Sequence, residues 1–115
     1  MNIVCLDSSL GTALADLGHT VKDLRPGAGI VRLAPLLGDF VPDLLIQQEA
    51  LGPRTLVVDL DAFSCPKVFW SIDTHLNSFW HQYYARLFDL FCTTQKHWQA
   101  WFLSLIHISE PTRPY

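Results

Sequence analysis

Residues 66–93, PKVFWSIDTHLNSFWHQYYARLFDLFCT, contain a strand, a helix and a second strand in succession. Residues 67–72 form a short apolar run after Pro66, which predicts a buried strand. The apolar side chains of residues 76–88 recur at i, i+3, i+4 and i+7, which predicts a helix with Phe79, Trp80 and Tyr83 in the core. Residues 90–93 are again typical of a strand. This spacing predicts two parallel strands joined by a right-handed crossover.

The remainder of the chain continues this alternation. Strands are predicted at Asn2–Leu6, Thr20–Leu24 and residues 43–47, and helices at residues 10–17, 30–37, 55–63 and 95–102. Residues 55–63 also fit a strand, because they contain Leu56, Val57 and Val58, but the alternation requires a crossover helix there. The pattern predicts an α/β fold, a Rossmann-like, doubly wound parallel sheet of about five strands in the order 3-2-1-4-5.

Composition is that of one globular domain. The chain has 115 residues, of which 50% are hydrophobic and 17% charged, too apolar for a disordered chain. The net charge is −3 and no basic stripe is present, so we expect no nucleic-acid partner. No apolar run approaches the roughly 20 residues of a transmembrane helix, so we expect no transmembrane segment and a cytoplasmic location. Cys5, Cys65 and Cys92 are widely spaced, which favours buried, reduced thiols over disulfides or a zinc site.

The end of the chain resembles a sequencing artefact. Residues 103–113, LSLIHISEPTR, match the translation of a transposon-type sequencing adaptor over their whole length. The alternative is a natural, frayed C-terminal tail. We therefore expect residues 1–102 to form an N-terminal, Rossmann-like domain of a truncated parent protein, and residues 103–115 to be an artefactual or disordered tail.

The carboxyl ends of the predicted strands carry the candidate ligand-binding residues. In the order 3-2-1-4-5 the first and fourth strands are neighbours at the switch point, the place where the strand order reverses. Ligands bind there in sheets of this kind. The loops that follow these two strands are residues 7–9, DSS, and residues 73–75, DTH. The polar residues that we expect to hold a ligand at this edge are Asp7, Ser8, Ser9, Gln48, Thr74 and Thr94.

Asp73 and His75 are the candidate catalytic residues. A carboxylate and an imidazole two residues apart, at a strand-to-helix turn, can supply a general base and the group that orients it. The alternative is that Asp73 or Thr74 caps the helix and His75 faces solvent. No third ligand accompanies the pair, so no metal site is predicted. The sequence contains neither GxGxxG nor GxxxxGK[ST], which argues against dinucleotide-binding domains and P-loop NTPases.

Three segments resemble a known family. Residues 66–75, PKVFWSIDTH, residues 84–89, YARLFD, and residues 92–96, CTTQK, are similar to the N-terminal half of the CgeB-like glycosyltransferases, named after a spore-maturation protein. The resemblance implies half of a two-domain GT-B fold, whose N-terminal domain serves a sugar or glycan acceptor. It also implies that a missing C-terminal domain binds the nucleotide-sugar donor, and that no metal or other cofactor is held here.

The resemblance assigns roles to the residues at the sheet edge. Asp73 and His75 become the catalytic pair, and the six polar residues above become acceptor-binding residues. The chain alone is then expected to be inactive, because it lacks the donor-binding domain. The alternative from a different class is a self-sufficient, flavodoxin-like binding or regulatory domain without catalysis.

The adaptor interpretation predicts that the tail contributes no stability. Deleting residues 103–115 should leave the melting temperature nearly unchanged, because Pro111 and Pro114 oppose regular structure. Thermal and denaturant unfolding of the full and shortened chains would measure this. A loss of more than about 2 kcal/mol on deletion would show that the tail is a native element.

Overall fold

Strands and helices alternate along the chain, as expected for an α/β fold. The structure, a computed structural model, describes residues 1–49, 54–72 and 74–93. The elements are β1 (Asn2–Leu6), α1 (Gly11–Asp16), β2 (Thr20–Leu24), β3 (Gly29–Val31), α2 (Ala34–Leu37), β4 (Leu44–Glu49), β5 (Thr55–Val57), β6 (Lys67–Ser71), α3 (Thr74–Tyr84) and β7 (Leu90–Thr93). The helix predicted at residues 95–102 and the tail at residues 103–115 lie outside the described residues.

The main sheet has five strands, all parallel, in the order β2-β1-β4-β6-β7. Numbered along the chain, its strands run 2-1-3-4-5, so the predicted order 3-2-1-4-5 is wrong. The reason lies in burial: β4 carries the apolar run Leu44 to Ile46 and is covered on both faces, whereas β2 is partly exposed and polar. Because β4 lies beside β1, the switch point falls between β1 and β4 and not between β1 and β6.

Helices cover both faces of this sheet. On one face, Leu6, Leu45 and Phe69 pack in a large cluster with Leu33 beside α2 and Tyr84 at the end of α3. On the other face, a smaller cluster of Ile3, Cys5 and Ile46 packs against Leu14 of α1. The sheet is therefore doubly wound and Rossmann-like, as the sequence predicts.

The segments at residues 30–37 and 55–63 fold differently from the prediction. Each begins with a short strand, and β3 and β5 pair in parallel as a separate two-stranded sheet. In β5 the run of Leu56 and Val57 follows its strand propensity, and only a 3₁₀ turn at Leu60–Ala62 comes after it. Helix α2 begins where Leu33 N and Ala34 N donate to the Asp59 carboxylate over 2.7 and 2.9 Å, and it ends at Gly38, whose φ is 58°.

The buried face of α3 is also not the one that apolar periodicity predicts. Phe79 is 55% exposed and Tyr83 61% exposed, so their assignment to the core is wrong, while Trp80 is half-buried against the core. Among the helix residues whose side chains the structure describes, the buried ones are Thr74, Asn77, His81 and Tyr84. These four residues also recur at helical spacing. Three of them are polar, so a prediction based on the spacing of apolar residues does not identify them.

The three cysteines are free, as predicted. Cys5 and Cys65 are buried and Cys92 is half-buried. Burial raises the pKa of all three thiols above the ordinary value, which keeps them protonated and unreactive. Within the described residues, no helix is long and apolar enough to cross a membrane.

Phe69 should be the most sensitive core position. It is fully buried on β6, and its ring lies 4.9 to 6.1 Å from the rings of His81, Tyr84, Phe88 and Phe91. Phe69→Ala should therefore cost about 3–5 kcal/mol of unfolding free energy. The matched substitution at exposed Phe79 should cost less than about 1 kcal/mol. Urea unfolding of both variants tests this, and equal losses would contradict the packing described here.

Candidate functional site

The loop after β1 is held against both neighbouring strands at the switch point. The backbone N of Ser9 and its Oγ donate to Gln48 Oε1 at 3.1 and 3.3 Å, which ties the loop to the end of β4. Arg25, which follows β2, donates from Nη2 to the carbonyl oxygen of Ser8 over 3.0 Å. The Ser8 side chain is buried and accepts a hydrogen bond from Leu10 N at 3.1 Å. Ser8 therefore shapes the loop, whereas exposed Ser9 is available to a ligand.

Asp7 turns the chain at the end of β1. Its φ of 51° lies in the left-handed region, which Asp tolerates better than most residues. By strand alternation Asp7 would follow Ile3 and Cys5 on the α1 face of the sheet. The Thr55 hydroxyl instead contacts Asp7 Oδ2 at 3.0 Å, on the face covered by α3. The positive φ thus brings the Asp7 carboxylate to the side of the sheet that holds Glu49.

Glu49 ends β4 as a buried carboxyl group, only 2% exposed. Its Oε1 accepts two hydrogen bonds, from Gln47 Nε2 at 3.0 Å and from Thr55 N at 3.1 Å. Burial raises the pKa of Glu49 to about 7, against the lowering effect of these two bonds; the Asp7 carboxylate raises it further and Arg54 lowers it. At neutral pH the group therefore exists in both protonation states.

A relay of hydrogen bonds from α3 orients Glu49. The Tyr84 hydroxyl accepts from Val57 N at 3.0 Å and donates to Gln47 Oε1 at 2.6 Å. This fixes the amide of Gln47, whose Nε2 then donates to Glu49 and to the carbonyl oxygen of Thr55. Burial also raises the pKa of Tyr84, so the phenol stays protonated and able to donate.

A second polar cluster lies at the ends of β6 and β7. Ser71 Oγ is 2.7 Å from both Thr74 Oγ1 and His81 Nδ1, and Thr74 Oγ1 is 2.7 Å from Thr93 Oγ1. His81 is fully buried, and its Nε2 has no hydrogen-bond partner among the described residues. Burial, reinforced by the positive charge of Arg54, lowers the pKa of His81 to about 4. The imidazole is therefore neutral over the physiological range.

The structure brings some of the predicted site residues together. Ser9 and Gln48 are hydrogen-bonded to each other at the switch point, and Asp7 contacts Thr55, whose backbone N bonds to Glu49; we call these five residues the switch-point cluster. The Thr74 hydroxyl belongs to the buried cluster with Ser71 and Thr93. His75 is exposed on the first turn of α3. Asp73 and Thr94 lie outside the described residues.

The loops after β1 and β6 are not adjacent. Because β4 runs between these two strands, their ends are two interstrand spacings apart, about 10 Å. A ligand that contacts both Asp7 and His75 must therefore cross the end of β4, where Glu49 lies. The prediction that these residues act on one ligand stays a prediction.

Sequence reasoning assigned no site role to Glu49, Thr55, Tyr84 or His81. A partial signal existed for Glu49, since the polar run Gln47, Gln48 and Glu49 ends an otherwise apolar strand. Thr55 and Tyr84 reach Glu49 and Gln47 only through tertiary packing. No local pattern in the sequence predicts those contacts.

Neither metal-ligand geometry nor comparison with known proteins assigns the site. In the described part of the chain, no group of three or more His, Cys, Asp or Glu side chains is placed to hold a metal ion. No family model, curated protein or solved structure matches the sequence. The chemistry of the switch-point cluster is therefore the basis for a functional assignment.

Glu49 and His81 should contribute opposite pH dependences to stability. The pKa of Glu49 is about 7 in the folded state against 4.5 as a free group, so the folded state binds more protons between these values and stability falls as pH rises. The pKa of His81 is about 4 against 6.5, so the unfolded state binds more protons and stability rises with pH. The two contributions oppose each other between about pH 4.5 and 6.5.

Removing either group should expose the contribution of the other. Relative to the unchanged chain, Glu49→Gln should make the unfolding free energy rise more steeply from pH 4.5 to 6.5, and His81→Asn should make it fall. Urea unfolding at a series of pH values measures both slopes. If both variants keep the original slope, the two groups do not titrate as their burial requires.

Proposed function

We propose that this chain forms the acceptor-side domain of a glycosyltransferase, which transfers a sugar from a nucleotide-sugar to an acceptor hydroxyl. The observation that carries this proposal is the hydrogen-bonded pair of Ser9 and Gln48, with Asp7 in the same loop, at the switch point of a parallel sheet. Carboxylate, hydroxyl and amide groups are suited to binding the hydroxyls of a sugar. The resemblance of residues 66–96 to CgeB-like glycosyltransferases supports the same assignment.

In this proposal the two loops have separate roles. The loop after β1, with Gln48, holds the acceptor, and the loop after β6 supplies the base. Exposed His75 takes the proton from an acceptor that extends across the end of β4, and Asp73 orients the imidazole or binds the hydroxyl itself. The donor is assigned to a second domain, because this sequence has no glycine-rich phosphate loop of the GxGxxG or P-loop kind.

The test is sugar transfer by a longer protein that joins this chain to its donor-binding domain. With labelled nucleotide-sugars, Asp73→Asn and His75→Ala should each lower kcat at least tenfold, because a positioned base contributes about 10²–10⁴-fold. Melting temperatures should stay unchanged.

The control must lie on the same helix without entering the site. Asn77 is only 4% exposed and accepts a hydrogen bond from Trp80 Nε1, so it is unsuitable. Half-buried Gln82 serves instead, and Gln82→Ala should keep full activity. Full turnover in both site variants would refute the catalytic assignment.

A binding domain without catalysis is the second candidate, and the strand order favours it. The order 2-1-3-4-5 is that of flavodoxin-like folds, which bind their ligand between the first strand and the third. That position corresponds to the ends of β1 and β4 here. Tight binding of a flavin or nucleotide by this chain alone, with no transfer activity in the longer protein, would decide for this candidate.

A further inference from the structure

Arg54 is an exposed cation whose hydrogen-bond donors are unused. Its guanidinium carbon lies over two rings of α3, 4.9 Å from the ring centre of Phe79 and 5.8 Å from that of Trp80. Within the described residues, the Arg54 side chain forms neither a hydrogen bond nor an ion pair. Ring faces attract the positive charge but offer no oxygen to the five N–H groups of a guanidinium. Arg54 is therefore held in position by aromatic contacts with its donors free.

Thr55 fixes the position of Arg54 next to the switch-point cluster. Thr55 directly follows Arg54, and it donates from its backbone N to Glu49 at 3.1 Å and contacts Asp7 Oδ2 through its hydroxyl at 3.0 Å. The carbonyl oxygen of Arg54 accepts from Gly29 N at 2.7 Å, which anchors the residue on the other side. The free guanidinium thus belongs to the ligand-binding edge of the sheet.

The carboxyl groups of the cluster do not neutralise Arg54. Glu49 is 2% exposed, and its Oε1 accepts from Gln47 Nε2 and Thr55 N. The Asp7 carboxylate contacts the Thr55 hydroxyl. In the part of the chain that the structure describes, neither carboxyl group forms an ion pair with Arg54. The positive charge at this edge is exposed and unpaired.

An exposed, unpaired guanidinium selects oxyanions. Its charge is permanent, and its planar fork of N–H groups matches two oxygens of a phosphate or carboxylate group. A metal cation is repelled, and a neutral hydroxyl group gains no attraction between opposite charges. The ligand that fits both Arg54 and the switch-point cluster therefore carries hydroxyl groups and an oxyanion.

We propose that Arg54 binds a phosphate or carboxylate group of the sugar acceptor, so that the acceptor is an acidic sugar. This inference rests on the proposed function and names the substrate class of the same site. Asp7, Ser9 and Gln48 bind the hydroxyl groups of this sugar, and Arg54 binds its oxyanion. Because Phe79 and Trp80 already hold the guanidinium, little side-chain entropy is lost on binding.

Sugars that differ at one carbon atom test the charge requirement. The probes are the methyl glycosides of glucose, glucose 6-phosphate and glucuronic acid, and the same three forms of galactose. They are titrated at millimolar concentration into this chain at constant ionic strength, because salt screens exposed charges. Binding is followed by the NMR shifts of the Ser9 and Thr55 amides and of the Trp80 indole N–H. The phosphate and carboxylate forms identify which oxyanion the site prefers.

We expect a charged sugar to bind at least about fivefold more tightly than its uncharged counterpart, as for hydrogen bonds to a charged group. Arg54→Gln should remove this difference. Arg54→Lys should keep only part of it, because an ammonium group lacks the planar fork. The comparison of sugars on the unchanged chain needs no variant, so it stands even if Arg54→Gln does not fold.

Arg86→Gln is the matched control. Arg86 is also exposed and also lies over an aromatic ring of α3, 5.5 Å from the ring centre of Tyr83. It follows the last turn of α3, whereas the ligand-binding edge is at the first turn. Arg86→Gln should therefore lose a similar aromatic contact and keep the full preference for charged sugars.

Two kinds of result would overturn the inference, and they differ in what else they remove. If charged and uncharged sugars bind equally well, or if Arg54→Gln keeps the preference for charged sugars, Arg54 does not bind the acceptor, but the acceptor-side function stands. If no sugar of either kind shifts the Ser9 or Thr55 amide, the acceptor-side function falls, and the role of Arg54 falls with it.

Discussion

The hydrogen bond from the Tyr84 hydroxyl to Gln47 joins the parts of this structure that matter for function. It links α3 to the central strand β4, and the same hydroxyl accepts from Val57 N in the small second sheet. Gln47 in turn bonds to Glu49 and to the carbonyl of Thr55. Both partners are buried, so losing one would leave the other with an unsatisfied polar group and would loosen the carboxyl beyond it.

Arg54 connects this network to the cluster around Ser71. Its positive charge lowers the pKa of both Glu49 and His81, although one group belongs to β4 and the other to α3. The guanidinium also lies 4.9 Å from the ring centre of Phe79 and 5.8 Å from that of Trp80. Exposed Phe79 and half-buried Trp80 of α3 therefore hold a positive charge near both polar clusters.

The fold could be predicted from sequence where local pattern decides it. The strands Asn2–Leu6, Thr20–Leu24 and Leu90–Thr93 have the predicted bounds, since each is a short run of strand-forming residues. Strand order depends on which strand is covered on both faces, a property of the whole assembly. The buried face of α3 was not predicted because it carries the polar residues Thr74 and His81. The candidate site was not predicted because Thr55 and Tyr84 contact β4 only through tertiary packing.

The central place of β4 has a consequence for the way the chain folds. Val4 of β1 pairs with Leu45 of β4, so the centre of the sheet closes a loop of about forty residues. Pairings between distant segments slow folding, because chain entropy is lost before the contacts compensate for it. On the ribosome, β1 can pair with β2 long before β4 has been synthesised, and the edge of β1 that β4 later covers is open until then. During that interval the apolar strand β1 is exposed to association with other chains.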